Sequence, residues 1–314
     1  MDIEILAEDL QFPEGPVVCD DGSVIVAELR RQQVTRIRKD GSRHAVAMVQ
    51  GNPNGLAFGP DGALYCCNNG GSVWIQREGR PGWVPAGAPA DYKGGWIDRI
   101  DIATGKAERL YESCDGIPLA GPNDLVFDSS GGFWFTDVGK GMGTHELQGG
   151  LYYARADGSA IVRMIYGLGL NGVGLSPDGE TVYAADTQRR TITAWPAKAA
   201  ASAGGEEGGI PAQIGHGIFS GRIVASFPGR ELLDSLAIEA DGMIAQAKVV
   251  EGSGIARVHP ETGASALVVF PDRLPTNIAF GGAGMRDAYV TLSASGRLAK
   301  CRWPAPGLKL AYGG

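Results

Sequence analysis

Apolar residues along this chain fall in short runs that alternate with polar ones and stop at Asp-Gly, Gly-Gly or Pro-containing turns. Leu125 and Phe127 against Val126 and Asp128 are one such stretch. A period of two sends alternate side chains to opposite faces of a strand, so the pattern predicts many short strands joined by tight turns. No run is long enough to cross a membrane as a helix, which takes about 18 or more apolar residues.

One unit recurs six times: a small turn, a polar residue, an apolar strand, an Asp-Gly-like turn and a second apolar strand. The copies are PEGPVVCDDGSVIVAEL from Pro13, PNGLAFGPDGALYCCNN from Pro53 and PNDLVFDSSGGFWFTDV from Pro122. They continue with LNGVGLSPDGETVYAADT from Leu170, LDSLAIEADGMIAQAKV from Leu233 and PTNIAFGGAGMRDAYVTL from Pro275. Their onsets lie 40, 69, 48, 63 and 42 residues apart, and four-stranded propeller blades repeat at roughly 40–50 residues. Each copy reads as a hairpin, and strand pairs between copies, such as VTRIRKDGSRHAVAMV, supply two outer strands per blade. Six units around a central channel make an all-β, six-bladed β-propeller, expected as a single domain over 1–314. The segment IEILAED is expected to pair with the last blade near GRLAKCRWP and close the ring. The two long intervals hold insertions, Pro/Gly-rich 77–95 and Ala/Gly-rich 196–220, both expected as loops on a propeller face.

Composition agrees with this architecture. There are 49 glycines in 314 residues, about double the usual ~7%, without the period of three that marks collagen. The net charge of −7 disfavours nucleic acid and anionic lipid as partners. The acidic N-terminal stretch lacks the basic and apolar regions of a signal peptide, so a cytoplasmic protein is expected. Cys19, Cys66, Cys67, Cys114 and Cys301 show no zinc-ligand spacing and read as buried free thiols; adjacent Cys66 and Cys67 should face opposite ways.

Equivalent repeat positions occupy equivalent places in space. The polar residue opening each inner strand is Glu14, Asn54, Asn123, Asn171, Asp234 and, shifted by one, Asn277. All six carry a side-chain oxygen, and none is His or Cys. Such a ring suits a hard divalent cation, calcium first, with magnesium or manganese as alternatives and zinc a poorer match. An Asn or Asp before Gly is also a common turn former, but two carboxylates and four amides at one repeat position point to a site.

Taken together, PEGP at 13–16, PND at 122–124, LNGVGLSPDG at 170–179 and LDSLAIEADG at 233–242 resemble the SMP-30/gluconolactonase/luciferin-regenerating enzyme family. The resemblance extends over all six repeats and also reaches the calcium-dependent diisopropyl fluorophosphatases. It implies a lactonase in which Glu14, Asn171 and Asp234 ligate one catalytic cation, with Asn123 on the metal or the substrate. It further implies Asp124 as general base, with Asn54 and Ser235 at the substrate. Members often hold a second, structural calcium, for which Asp137 and Asp186 are the candidates here. Fluorophosphatase-like relatives carry a His where this chain has Ala279, which lowers that reading.

The expected reaction is opening of a sugar lactone such as gluconolactone by water, with the cation polarising the ester carbonyl. The partner is a small molecule, and oligomeric state stays open. Alternatives are hydrolysis of organophosphates or non-sugar lactones, a propeller condensation chemistry, or a non-catalytic binding scaffold. A serine hydrolase lacks its G-x-S-x-G, and nucleotide binding lacks a P-loop or G-x-G-x-x-G. His44, His145, His216 and His259 fall outside the inner-strand openings, and Trp74, Trp96, Trp134 and Trp195 read as blade packing.

Overall fold

Each repeat forms the inner hairpin of one blade. The inner strands are Pro13–Val18, Pro53–Phe58, Pro122–Phe127, Leu170–Leu175, Leu232–Ile238 and Pro275–Gly281, numbered here blades 1 to 6. Each adjoins the next around a closed ring. The computed structural model describes residues 1–79, 82–197 and 221–313. Among these, six four-stranded antiparallel sheets form a β-propeller. Blade 6 takes its outer strand from the start of the chain: Ile3–Ala7 pairs with Arg297–Arg302, Ile3 opposite Cys301. This is the expected ring closure.

The second strand of each blade is buried on both faces, so it packs two neighbours at once. In blade 1, Ile25 and Ala27 meet Leu64 and Cys66 of blade 2. The alternate residues Val24 and Val26 meet Tyr289 and Leu298 of blade 6. In blade 3, Phe133 and Phe135 pack toward Tyr65 and Cys67, while Trp134 packs toward Val173 and Val182 of blade 4. Similar clusters fill the seams between blades 4 and 5 and between blades 5 and 6. The apolar core is therefore a set of radial seams, each built by period-two alternation. Cys66 and Cys67 do face opposite seams, and all five cysteines are free and buried. Trp134 and Trp195 are fully buried in their seam.

All six inner strands run the same way, with the polar repeat residue at one mouth of the channel and Val18, Phe58, Phe127, Leu175, Ile238 and Phe280 toward the other. The segment after the last blade crosses that far mouth. The Leu308 amide donates to the Ile238 carbonyl at 2.8 Å, Gly307 lies against the Phe280 ring, and Tyr312 meets Phe127 edge-on at 5.7 Å. Access to the polar ring is thus from its own side.

The insertion at 77–95 departs from the expected loop. Trp83–Pro85 pairs with Trp74–Gln76 as a short hairpin, because aromatic and β-branched residues suit strands even in Pro/Gly-rich surroundings. Among the described residues the rest of this insertion is irregular and is tied to blade 3, where the Tyr92 hydroxyl donates to the Ala120 carbonyl. Of the second insertion, residues 198–220, with His216, lie outside the described residues. Among the described residues no helix is long and apolar enough to cross a membrane.

Candidate active site in the channel mouth

The six inner hairpins share one irregularity: the register slips at the polar residue. Pro53 faces Asn68 but Leu56 faces Cys66; Pro122 faces Asp137 but Leu125 faces Phe135. Blades 1, 4 and 5 slip likewise. In blade 6 Pro275 faces Leu292 and Asn277 faces Thr291, leaving Thr276 as the extra residue. That is the physical origin of the one-residue offset. A bulge bends its strand and re-aims the local side chain, and six at one level gather Glu14, Asn54, Asn123, Asn171, Asp234 and Asn277 at one mouth.

The residue after the ring position is small for a reason. Gly15 has φ +51° and its Cα faces the Asn54 carbonyl too closely for a Cβ. A Cβ on Gly55 would lie 2.6 Å from Asp124 Oδ1, and one on Gly172 would lie 2.5 Å from the Leu236 amide. Blades 3 and 5 break the pattern: where blades 1, 2 and 4 have glycine, they carry Asp124 and Ser235. Both added side chains are buried and interact with each other across the channel. The repeat thus frees two positions for chemistry by making its neighbours glycine.

The backbone beneath the ring is held from the second strands. The Asp124 amide donates to Thr136 Oγ1 at 3.2 Å, and Thr136 Oγ1 donates to the Asn171 carbonyl. Gln246 Nε2 donates to the Asp234 carbonyl at 2.8 Å. Thr276 Oγ1 lies 3.0 Å from Thr291 Oγ1 and 2.6 Å from Ser293 Oγ, which donates to the Pro13 carbonyl at 2.6 Å. The sequence reading did not name Thr136, Gln246, Thr276 or Ser293. Their only signal is a polar residue on an otherwise apolar second strand, or beside the ring position.

The ring residues divide by how their side chains are used. Asn277 is spent within the protein: Nδ2 donates to Glu14 Oε2 at 3.2 Å and Oδ1 accepts from the Ile278 amide at 2.8 Å. Asn123 Oδ1 and Asn171 Oδ1 are buried without any hydrogen-bond partner. An orphaned buried acceptor costs about 1–3 kcal/mol, so two in one ring call for a donor or a cation.

The carboxylates tell the same story. Burial pushes Glu14 up to about 6, against the pull of Thr276, the Gly15 amide and Asn277. Asp124 is pushed up to about 7 by burial first and by the Glu14 charge second, opposed by the Leu125 amide and Ser235. Asp234 keeps part of its surface open to the channel, yet burial and the charges of Glu14 and Asp124 hold it well above the ordinary range. Among the described residues, no Lys or Arg is among the principal groups acting on these three. Three confined carboxyls without a positive partner, beside two orphaned amide oxygens, fit a divalent cation. Among the described residues no three His, Cys, Asp or Glu side chains are grouped closely enough to hold an ion by themselves, so a cation here must draw on the amides.

The other candidates separate from this ring. Asp137 accepts the Ala120, Gly121 and Gly139 amides at 2.7, 2.7 and 2.8 Å. Asp186 accepts from the Arg189 amide and guanidinium at 2.7 and 2.9 Å. Their oxygens face hydrogen donors, which makes them struts for the loops and not a cation cage. His44, His145 and His259 are exposed.

A six-bladed propeller that gathers carboxylates and amides at one channel mouth defines a class of ring-site propellers. This chain belongs to the SMP-30/Gluconolactonase/LRE-like family, which it matches over residues 12–294. It is 25% identical over 215 residues to a gluconolactonase of Zymomonas mobilis, covering 62% of this chain and 54% of that protein. It is 28% identical over 243 residues to the lactonase drp35 of Staphylococcus aureus, covering 76% and 64%. The match therefore spans less than two thirds of either relative. Among solved structures, a Xanthomonas campestris gluconolactonase superposes with TM-score 0.70 at 22% identity, covering 96% and 89%. A calcium-binding regucalcin of Agrobacterium tumefaciens gives 0.69 at 18% identity, covering 98% and 97%. Both structural likenesses carry the fold.

Proposed function

We propose that this chain is a hydrolase that opens a lactone, with Glu14, Asn123, Asn171 and Asp234 holding one divalent cation and Asp124 serving as general base. The observation that carries this reading is the pair of buried, unpartnered oxygens of Asn123 and Asn171 within a ring of uncompensated carboxyls. All-oxygen ligands favour calcium, with magnesium, manganese and zinc as the alternatives to be tested. A divalent cation bound there supplies Lewis acidity to the ester carbonyl.

The residues do the rest. Asp124, buried in the ring beside Asn123, is placed to take a proton from an attacking water. Asp234 would help hold that cation, close enough to Asp124 to feel its charge. Asn54, Asn123 and Ser235 line the same mouth and can orient the ring oxygens of the substrate. The gluconolactonase and lactonase names of the relatives make glucono-δ-lactone the first substrate to test.

The test is lactone hydrolysis followed by acid release, on chelated protein with single metals added back. Turnover restored by a divalent cation supports the reading. Turnover untouched by chelation would overturn the cation's place in it, and no turnover on any lactone would overturn the activity.

A further inference from the structure

Just outside the polar ring, the mouth has two unlike halves. The residues two positions before the ring side chains are Phe12, Asn52, Gly121, Gly169 and Leu232, with Leu274 one step further back because of the Thr276 bulge. Blades 2 to 4 thus have a buried amide and two glycines at this level, while blades 5, 6 and 1 have three large apolar side chains. Those three gather with Val249 and Ala294 into one cluster that also takes in Val84.

Val84 comes from the hairpin inserted in blade 2, which crosses blade 1 to reach blade 6. Trp74 packs on Phe12 with ring centroids 5.2 Å apart. Arg30 lies 4.2 Å over the Trp83 ring, and Gly82 lies against the Ala294 carbonyl. The hairpin does not seal this shelf: Phe12, Leu232 and Val84 each keep part of their surface exposed, immediately above Glu14 and Asp234. On the opposite rim the matching positions are Gly121 and Gly169, which contribute no side chain of their own.

We infer that this shelf receives an apolar substituent of the substrate, so that the preferred lactone carries an alkyl or aryl group on a ring carbon remote from its carbonyl. The inference rests on the lactonase reading and narrows it. A ring carbon seated among Asn54, Asn123 and Ser235 directs its substituent upward, and on the side of blades 5, 6 and 1 the apolar cluster of Phe12, Leu232 and Val84 is there to receive it. A fully hydroxylated sugar lactone would leave its hydroxyls facing Phe12, Leu232 and Val84 without partners.

The experiment compares kcat/KM of the cation-loaded protein on γ-butyrolactone, γ-hexalactone and γ-nonalactone, with glucono-δ-lactone alongside. Burial of each added methylene is expected to raise kcat/KM about three- to fourfold until the shelf is filled. The readout for variants is the ratio of γ-nonalactone to γ-butyrolactone. Val84→Ser and, independently, Leu232→Ser should each lower that ratio at least fivefold. A ratio near one in the unaltered protein, with butyrolactone or gluconolactone still hydrolysed, overturns this inference alone. A ratio unmoved by both variants overturns it as well. No turnover of any lactone overturns the lactonase reading and this inference with it.

Discussion

Asp124→Asn separates what the ring does from what it costs. Asp124 is buried and its carboxyl is pushed up to about 7, by burial first and then by Glu14. Against an ordinary 3.8, ionising it inside the fold costs about 4 kcal/mol, at about 1.4 kcal/mol per pH unit. Water at the channel mouth screens part of this, leaving about 2 kcal/mol as the expected effect. Asparagine keeps an Oδ1 acceptor for the Leu125 amide, which Asp124 accepts at 2.9 Å, and removes the charge. Because the folded-state pKa is raised, the contribution to stability is fully present below about 3.8 and is lost as pH rises through about 7. Metal-stripped Asp124→Asn should therefore melt about 4 °C higher than the unaltered protein at pH 8 and at the same temperature at pH 3. Calorimetry in chelator across that range reads the difference directly. On the cation-loaded protein the same variant should lose at least about 100-fold in kcat on its best lactone. A variant that melts lower by one amount at every pH would mean that Asp124 is a structural strut. Retained kcat would remove it as the base.

Three further expectations follow from other residues. Glu14→Gln keeps an oxygen but removes a ring charge, and should weaken calcium binding at least about tenfold by isothermal titration, with the fold's circular dichroism unchanged. Gly172→Ala would bring a Cβ to 2.5 Å from the Leu236 amide; it should cost about 1–3 kcal/mol in urea unfolding and lower activity by prising blade 4 from blade 5. Asp98, outside the ring, is pushed up to about 6 by burial despite hydrogen bonds from Trp96 Nε1 and Asn68 Nδ2. Its raised pKa makes its contribution to stability decline as pH rises through about 6, so Asp98→Asn should melt higher than the unaltered protein at pH 8 and level with it at pH 3, by thermal melts at both values.

Much of this fold was legible because each repeat carries its own turn chemistry. Asp-Gly and Gly-Gly mark the hairpins, and the polar residue before each apolar strand gives the ring, including the offset at Asn277. That offset read as an imperfection in the pattern; in the structure it is the bulged Thr276. The hairpin at Trp83–Pro85 was hidden because three strand-forming residues are outweighed by the Pro and Gly around them. The supports at Thr136 and Gln246 were hidden for another reason. The hydrogen bonds by which they hold the ring reach backbone atoms eleven or more residues away, and no local rule demands Thr or Gln there. Asp124 and Ser235 lay in plain sight as the two residues that replace a glycine of the repeat, a substitution that only steric crowding between inner strands explains.

The pairing of Ile3–Ala7 with Arg297–Arg302 sets an order of events for this chain as it leaves the ribosome. Blades 1 to 5 are built from contiguous sequence and can form in turn, but the sixth waits for two strands that lie far apart in the sequence. Until Cys301 meets Ile3, two strand edges stand unpaired and the seam between blades 6 and 1 is incomplete, the condition in which sheets recruit neighbouring chains. Closure over so long a separation is slow by nature. Glu14 sits in the first blade and Asn277 in the last, so their hydrogen bond spans that final seam, and the ring acquires its complete geometry only when the circle shuts.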